Sequence, residues 1–393
     1  MATSEFLFIH PLLGADDAWS GYLVETLPPP RQHATLDRLT VAPTLADFDH
    51  RHPWFIPATA PACQTGCLGE RAVFVFPANA PVEQVEGLQA LEAERRKAHG
   101  KVGVLAGNNA PLPAAGAWHY LLLPAGRARS LPPYALIGIS SRTTIMALDV
   151  HSHTDRLWFL DNACTLSTAE FLLTRANKPG KADTTRIKLL ELLALIAKDA
   201  DTAELDAVFR QESKLSYSLL RLVNSAAIAP SRPITSFAQA INLLGRRHLQ
   251  RWLQLLVYAD PNNGQHPNPL LQKAAARGHL LESLVAPGAS GAATEELRDA
   301  AFMVGSFSLL HVLLNMPMSE IVHQLPLAEA VTLALTEHGG TLGLLLGAVE
   351  AAEARDLQTA AIRLGELGID VDNHLAAQLG ALAWAAKIHP ASE

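Results

Sequence analysis

The stretch from Lys214 to Tyr258, KLSYSLLRLVNSAAIAPSRPITSFAQAINLLGRRHLQRWLQLLVY, constrains this chain most, because its apolar spacing and its breakers together admit one kind of local structure. Leu215, Leu219, Leu222 and Val223 recur at helical spacing. Pro230, Ser231 and Pro233 then prevent continuation, which predicts a helix ending near Ile228. Thr235 or Ser236 offers an oxygen to cap a second, short helix bearing Ala238, Ile241 and Leu244, and Gly245 stops it. Next, Arg246, Arg247, His248 and Arg251 interleave with Leu249, Trp252, Leu253, Leu255 and Leu256, which predicts a third helix with an apolar stripe and an outward basic face.

Arg246, Arg247, Arg251 and Trp252 are therefore the candidate partner-binding residues, on a surface suited to a partner helix, a phosphorylated ligand or an anionic protein. The plainer reading makes Trp252 core and the arginines solvated. The Asn224-Ser225 step has a capping explanation, since Asn tolerates a left-handed turn and Ser bonds backbone.

The rest of the chain has two textures. Pro, Gly and Lys in the segment 176–183 mark a boundary between a domain over 1–178 and another over 179–393. Beyond it, helical periodicity continues through Ile187, Leu190, Leu193, Leu195 and Ile196, then Leu205, Val208 and Phe209. Further helices are predicted over 267–286, 295–314, 326–336, 341–354, 357–367 and 372–388, which makes this half all-α. Before the boundary, EFLFIHPLL, RAVFVF, KVGVLAG, WHYLLL, ALIGIS and TTIMALDV read as buried strands. Helix-compatible segments at 82–100 and 154–162 alternate with them, as in an α/β fold, while residues 27–62 show no clear pattern.

The Lys214–Tyr258 block resembles the HDOD domain of bacterial regulators, through LLRLVNSA at 219–226, PITSFAQAINLLG at 233–245 and RRHLQRWL at 246–253. The resemblance continues through AFMVGSFSLLHVLL at 301–314 and LPLAEAVTLAL at 325–335. The first half is more distantly similar to an EAL domain, with FLFIHPLL at 6–13 as its opening strand, GYLVE at 21–25 as the site of the name-giving motif, and IMALDVHSHTD at 145–155 as a late strand. FLLTR at 171–175 would close that domain. The resemblance implies a multi-domain α+β chain: a degenerate, EAL-like, TIM-barrel-derived α/β domain followed by an all-α HDOD helical bundle.

An active EAL enzyme hydrolyses cyclic di-GMP with hard divalent cations held by oxygen ligands. Here Leu23 stands at the first expected glutamate, Leu105 and Ala106 at paired aspartates, Leu122 at a lysine, and Leu148 and His151 at late glutamates. Glu25 and Asp149 lie nearby but out of place. Glu86-Gly87-Leu88 imitates the motif's letters within a charged, helix-like stretch and reads as a solvated face. The HD phosphohydrolases related to HDOD hold metals with an adjacent His-Asp pair; this chain has none, and Ser308 and Leu309 occupy its place. His311, His279, His323 and His338 are scattered. No GxSxG, GxxxxGK[ST] or HExxH motif occurs.

A net charge of −7 disfavours general binding to nucleic acid. Cys63, Cys67 and Cys164 lack the spacing of a zinc site or a disulfide framework. Apolar runs fall short of the ~18 residues a membrane span needs, and the first residues lack the basic start of a secretory signal. The expectation is a cytoplasmic signal-transduction adaptor, not an enzyme, without cofactor or metal, acting through contacts with other signalling proteins. The alternatives are a cyclic di-GMP receptor without hydrolysis, and a residual metal-dependent phosphodiesterase.

Overall fold

The computed structural model describes residues 6–27, 34–58, 65–107, 111–132, 134–174, 194, 195, 198, 201, 204, 213–225, 228, 230, 233–259, 267–285 and 294–388. The segment 176–183, expected as a boundary, lies outside them, as do the apolar positions expected on helices between Ile187 and Leu193. The chain divides into two compact units: Met1–Thr174 with Ala352–Ala361, and Arg175–Ala351 with Ile362–Glu393.

In the first unit, eight strands among the described residues close into a barrel. β1 (Leu7–Leu13) runs antiparallel to β2 (Trp19–Thr26). From β2 onward each strand is parallel to the next: β3 (Trp54–Pro57), β4 (Ala72–Pro77), β5 (Lys101–Leu105), β6 (Tyr120–Pro124), β7 (Thr144–Leu148) and β8 (Leu166–Ser167). An antiparallel contact of β8 with β1 completes the circle. Alternate side chains of each strand share a face, so Leu12, Leu23, Phe55, Val73, Leu122, Met146 and Leu148 meet in an apolar interior cluster. Tyr22, the neighbour of Leu23, belongs to a separate aromatic group, stacked on Trp54 at 4.6 Å with Phe48 edge-on at 5.0 Å.

Parallel neighbours need crossovers that leave the sheet. α1 (Ala34–Thr40), α2 (Val82–Lys97), α3 (Ala125–Arg129), α4 (Ala135–Ser140) and α5 (His153–Asp161) lie in the crossovers after β2, β4, β6 and β7; the one after β3 carries a 3₁₀ turn over Gly66–Arg71, and the one after β5 has no helix among its described residues. Glu86 is exposed on α2. The expected strand ALIGIS is instead α4: β6 and β7 already pair, so the chain between them must leave the ladder, and Ile137 faces solvent there. The unpatterned stretch at 27–62 contains β3, whose Trp54, Phe55 and Ile56 are buried. Leu166–Ser167 closes the barrel, and a 3₁₀ turn over Glu170–Leu173 follows it, within the segment expected to end the domain.

The second unit is helical among its described residues. α6 (Ser213–Val223) ends five residues before the expected Ile228. Asn224 follows it without a left-handed backbone. Its side chain clips the returning chain, accepting from the Ile234 N–H at 2.7 Å and donating to the Ile234 carbonyl at 2.8 Å. α7 (Phe237–Leu256) starts on Ser236, whose hydroxyl accepts from the Gln239 N–H. It kinks at Gly245, which adopts φ 73° and ψ 160°, so the short helix and the Arg-Trp helix are two segments as expected.

α8 (Pro269–Leu284) and α9 (Glu295–Phe307) cross at two glycines. A Cβ on Gly305 would lie 2.6 Å from the Arg277 carbonyl oxygen, so only glycine permits the approach there, and one on Gly278 would lie 3.1 Å from Phe302, a tight contact. The helix expected over 295–314 breaks after Phe307, because the Ser308 hydroxyl donates to the Gly305 carbonyl at 2.7 Å and competes with the helical ladder. α10 (Leu310–Leu313) and α11 (Met318–His323) follow, the latter without an expected counterpart. α12 (Glu329–Glu337), α13 (Gly340–Glu353), α14 (Leu357–Glu366) and α15 (Val371–Ala386) match expected helices within a few residues, the end of α13 and the start of α14 falling in the segment Ala352–Ala361 that belongs to the first unit.

His374 on α15 is 2 % exposed, and burial pushes its imidazole down from 6.5 to about 4. Burial, with the charges of Arg251 and Arg298, also lowers His279. A histidine that titrates lower when folded takes up its proton more readily in the unfolded chain. The stability it contributes is therefore complete above its unfolded value and is lost as pH falls from 6.5 toward 4. The loss is expected to reach about 3 kcal/mol for His374. Urea midpoints measured at pH 7.5 and 4.5 check this, with His374→Leu flattening the dependence; an unchanged slope in that variant would remove His374 as the cause.

Candidate functional site: a carboxylate cluster at one end of the barrel

Strand alternation places Glu25 one rung beyond Leu23 on β2, at the end of the strand and past the apolar interior cluster. Asp149 follows the last residue of β7 with a left-handed backbone, φ 60°. Glu170 comes from the turn after β8, and its Oε2 accepts from the Val150 N–H at 3.2 Å. All three therefore lie at the C-terminal ends of parallel strands, where barrels of this kind place their binding chemistry.

Arg355, in the segment of the same unit between α13 and α14, meets them. Its Nε donates to Glu25 Oε2 at 2.9 Å and a terminal nitrogen to Glu25 Oε1 at 2.6 Å, a two-point grip. The other terminal nitrogen donates to Asp149 Oδ1 at 2.5 Å and approaches Glu170 Oε1 at 3.8 Å. His10 on β1 completes the group, 3.3 Å from Glu25.

The carboxylates differ electrically. Burial disfavours the charge on Glu25, but its hydrogen bond with Arg355 and the nearby charges of His10 and Arg355 outweigh that, and its carboxyl lies below the usual range. For Glu170 burial wins over the more distant Arg355, and its carboxyl titrates higher than usual. Burial works against the Arg355 cation, but the hydrogen bond and charge of Glu25, with Asp149 and Glu170, hold it more firmly protonated than usual.

This arrangement does not fit the divalent metals that the EAL resemblance implies. Leu23, Leu122 and Leu148 stand at expected polar positions and are packed in the apolar interior cluster. Leu105 ends β5, Ala106 is buried beside it, and His151 is exposed. The surviving carboxylates are directed at a guanidinium. Among the described residues no group of three or more His, Cys, Asp or Glu side chains is arranged to hold a metal ion.

In the helical unit, the place expected for a His-Asp pair holds buried Ser308 and Leu309. Buried Arg277 donates to the Ser308 hydroxyl at 2.7 Å and lies 3.3 Å from Glu350, which pairs with His338 at 2.7 Å. His311 Nδ1 lies 2.7 Å from the Ser308 carbonyl.

The predicted docking residues take different places. Trp252 is 5 % exposed and packs against Trp384, ring centroids 5.4 Å apart. Arg251 is turned inward, 2.7 Å from Glu282 and 2.9 Å from Asp299, with its guanidinium over Phe302. Its charge thus does not point outward as expected. Arg247 is exposed and pairs with Glu295 and Asp299. The side chain of Arg246 lies outside the described residues. A run that reads as basic in one dimension is balanced by acids from α8 and α9, which lie far from it in sequence. Sequence reasoning missed Glu170 and Arg355 for the same reason, since neither belongs to a motif.

No helix among the described residues is long and apolar enough to cross a membrane. No solved structure matches the chain. The chain is 32% identical over 191 residues to the cyclic di-GMP phosphodiesterase CdgJ of Vibrio cholerae, covering 49% of this chain and 43% of that protein. It is 30% identical over 200 residues to the uncharacterized protein YuxH of Bacillus subtilis, covering 49% of this chain and 46% of that protein. The matched region thus spans less than half of either relative. Residues 185–263 match the HDOD domain family, and the chain therefore carries an HDOD domain.

Proposed function

We propose that this chain is a regulatory protein of cyclic di-GMP signalling that acts through contacts with other proteins and does not hydrolyse the nucleotide. In this reading residues 1–178 form a degenerate EAL-like domain and 179–393 an HDOD domain. The observation that carries it is the packing of Leu23, Leu122 and Leu148 into the barrel interior, at positions where an EAL enzyme would need polar ligands. Aliphatic side chains give a hard cation no oxygen to bind. The eight-stranded barrel and the HDOD match supply the context. Contacts with partners are assigned to the exposed stretch of α7 around Arg247, the one candidate whose described side chain faces solvent.

Purified full-length chain incubated with cyclic di-GMP and Mg²⁺ or Mn²⁺ is expected to release no linear dinucleotide above a protein-free control. Metal-dependent turnover that disappears in Glu25→Gln would overturn the proposal in favour of a residual phosphodiesterase.

A second reading keeps the barrel as a cyclic di-GMP receptor without hydrolysis, favoured by the similarity to a protein named for that nucleotide. Titration calorimetry separates the two: saturable heat supports the receptor, and none at high micromolar nucleotide removes it.

A further inference from the structure

Gly368 takes a left-handed backbone, φ 69°, which turns the chain after α14, and Asp370 caps α15 two residues later. Leu367 and Ile369, on either side of that glycine, line a cavity of about 490 Å³ that is open at its mouth. Leu284 at the end of α8, Leu297 on α9 and Leu345 on α13 contribute further apolar wall, and every lining residue belongs to the second unit. Small-molecule sites have volumes of roughly 300–1,000 Å³ and combine apolar walls with a few polar groups, as this cavity does.

Asp370 is the one charged side chain in the lining. Its Oδ2 accepts from the Asp372 and Asn373 N–H groups at 3.0 and 3.3 Å, and its Oδ1 has no partner among the described residues. Thr341 and Asn373 add polar groups at exposed positions. The surroundings carry the same sign as Asp370: exposed Glu296, Glu366 and Asp372 each adjoin a lining residue in sequence. Arg298, the cation next to Leu297, lies 3.9 Å from Glu282. An anion would therefore meet like charge at this mouth, and a cation is drawn to it.

We propose that the cavity binds a small organic cation, an amine whose aryl or alkyl body fills the leucine-lined space while its ammonium meets Asp370. An ammonium is a compact charge suited to the single carboxylate oxygen left open by the helix cap. The site stands whether or not the barrel binds a nucleotide and whether or not α7 contacts a partner.

Titration calorimetry of the full chain with phenethylammonium and, at matched ionic strength, with the similarly shaped anion hydrocinnamate tests this. Saturable heat is expected for the amine at millimolar concentration and none for the carboxylate. Asp370→Asn keeps the helix cap, removes the charge, and is expected to weaken the amine about fivefold. Ala376→Trp fills the cavity from an exposed lining position and is expected to abolish the heat without changing the circular dichroism spectrum. If that variant does not fold, Thr341→Trp, at another exposed lining position, takes its place. Equal heats for the two ions, no saturable heat for the amine, or heat that survives the tryptophan overturns the proposal. Dimerisation of the parent protein that the tryptophan abolishes also overturns it, because the cavity then receives a second copy of the chain.

Discussion

Leu23→Glu, which restores a glutamate at the position where the EAL resemblance expects one, is expected to destabilise the barrel by roughly 3–6 kcal/mol and to produce no phosphodiesterase activity. Leu23 is 5 % exposed and packs within the apolar interior cluster. Removing a buried leucine side chain forfeits about 1.5–3 kcal/mol of burial. Placing a carboxyl there adds the cost of an unsatisfied polar group, and ionisation is disfavoured enough that the carboxyl takes up a proton. Nearby Leu122 and Leu148 offer it no hydrogen bond and no metal a second ligand. Urea unfolding followed by circular dichroism measures the loss, and product analysis with Mn²⁺ measures activity. A stable Leu23→Glu protein would contradict the packing described, and an active one would contradict the proposed function.

Trp252→Ala is expected to cost about 3–5 kcal/mol of stability, the range for truncating a buried tryptophan. The indole is nearly inaccessible and lies against Trp384, which also contacts His279 and Phe302. Trp252→Phe keeps part of that packing and is expected to lose markedly less. The same urea titration distinguishes an interior residue from a docking one, because a residue used only for partner contact would lower affinity while leaving the midpoint in place. Arg247→Ala provides the contrast. Arg247 is exposed and its ion pairs are screened by solvent, so its removal is expected to change stability by less than about 1 kcal/mol.

Local chemistry in the sequence carried much of the fold. Ser236 caps α7, Gly245 divides it, and β1, β4, β5, β6 and β7 fall on the apolar runs that predict them, whereas β2 lies on none of those runs. These features depend on a residue and its near neighbours, which is the range over which capping, backbone freedom and alternation act. ALIGIS failed as a strand because its apolar letters are equally suited to a short surface helix, and strand pairing of β6 with β7 excluded it from the sheet. Trp54–Pro57 escaped notice because four residues do not display a period. Asn224 gave a reason for a turn but not its form, since its carboxamide bonds Ile234, ten residues on.

The Lys214–Tyr258 block alone determined that the chain carries breaker-separated helices of the HDOD kind, and the absence of a His-Asp pair was equally plain from its letters. Tertiary structure decided what the charged residues do. It set acids from α8 and α9 against Arg247 and Arg251, buried Trp252, and joined Glu25, Asp149 and Glu170 to an arginine more than 180 residues beyond the last of them. The physical reason is that capping and periodicity act over a few residues along the chain. Ion pairing acts over a few ångströms in space, and only the closed barrel brings its strand ends within that range of Arg355.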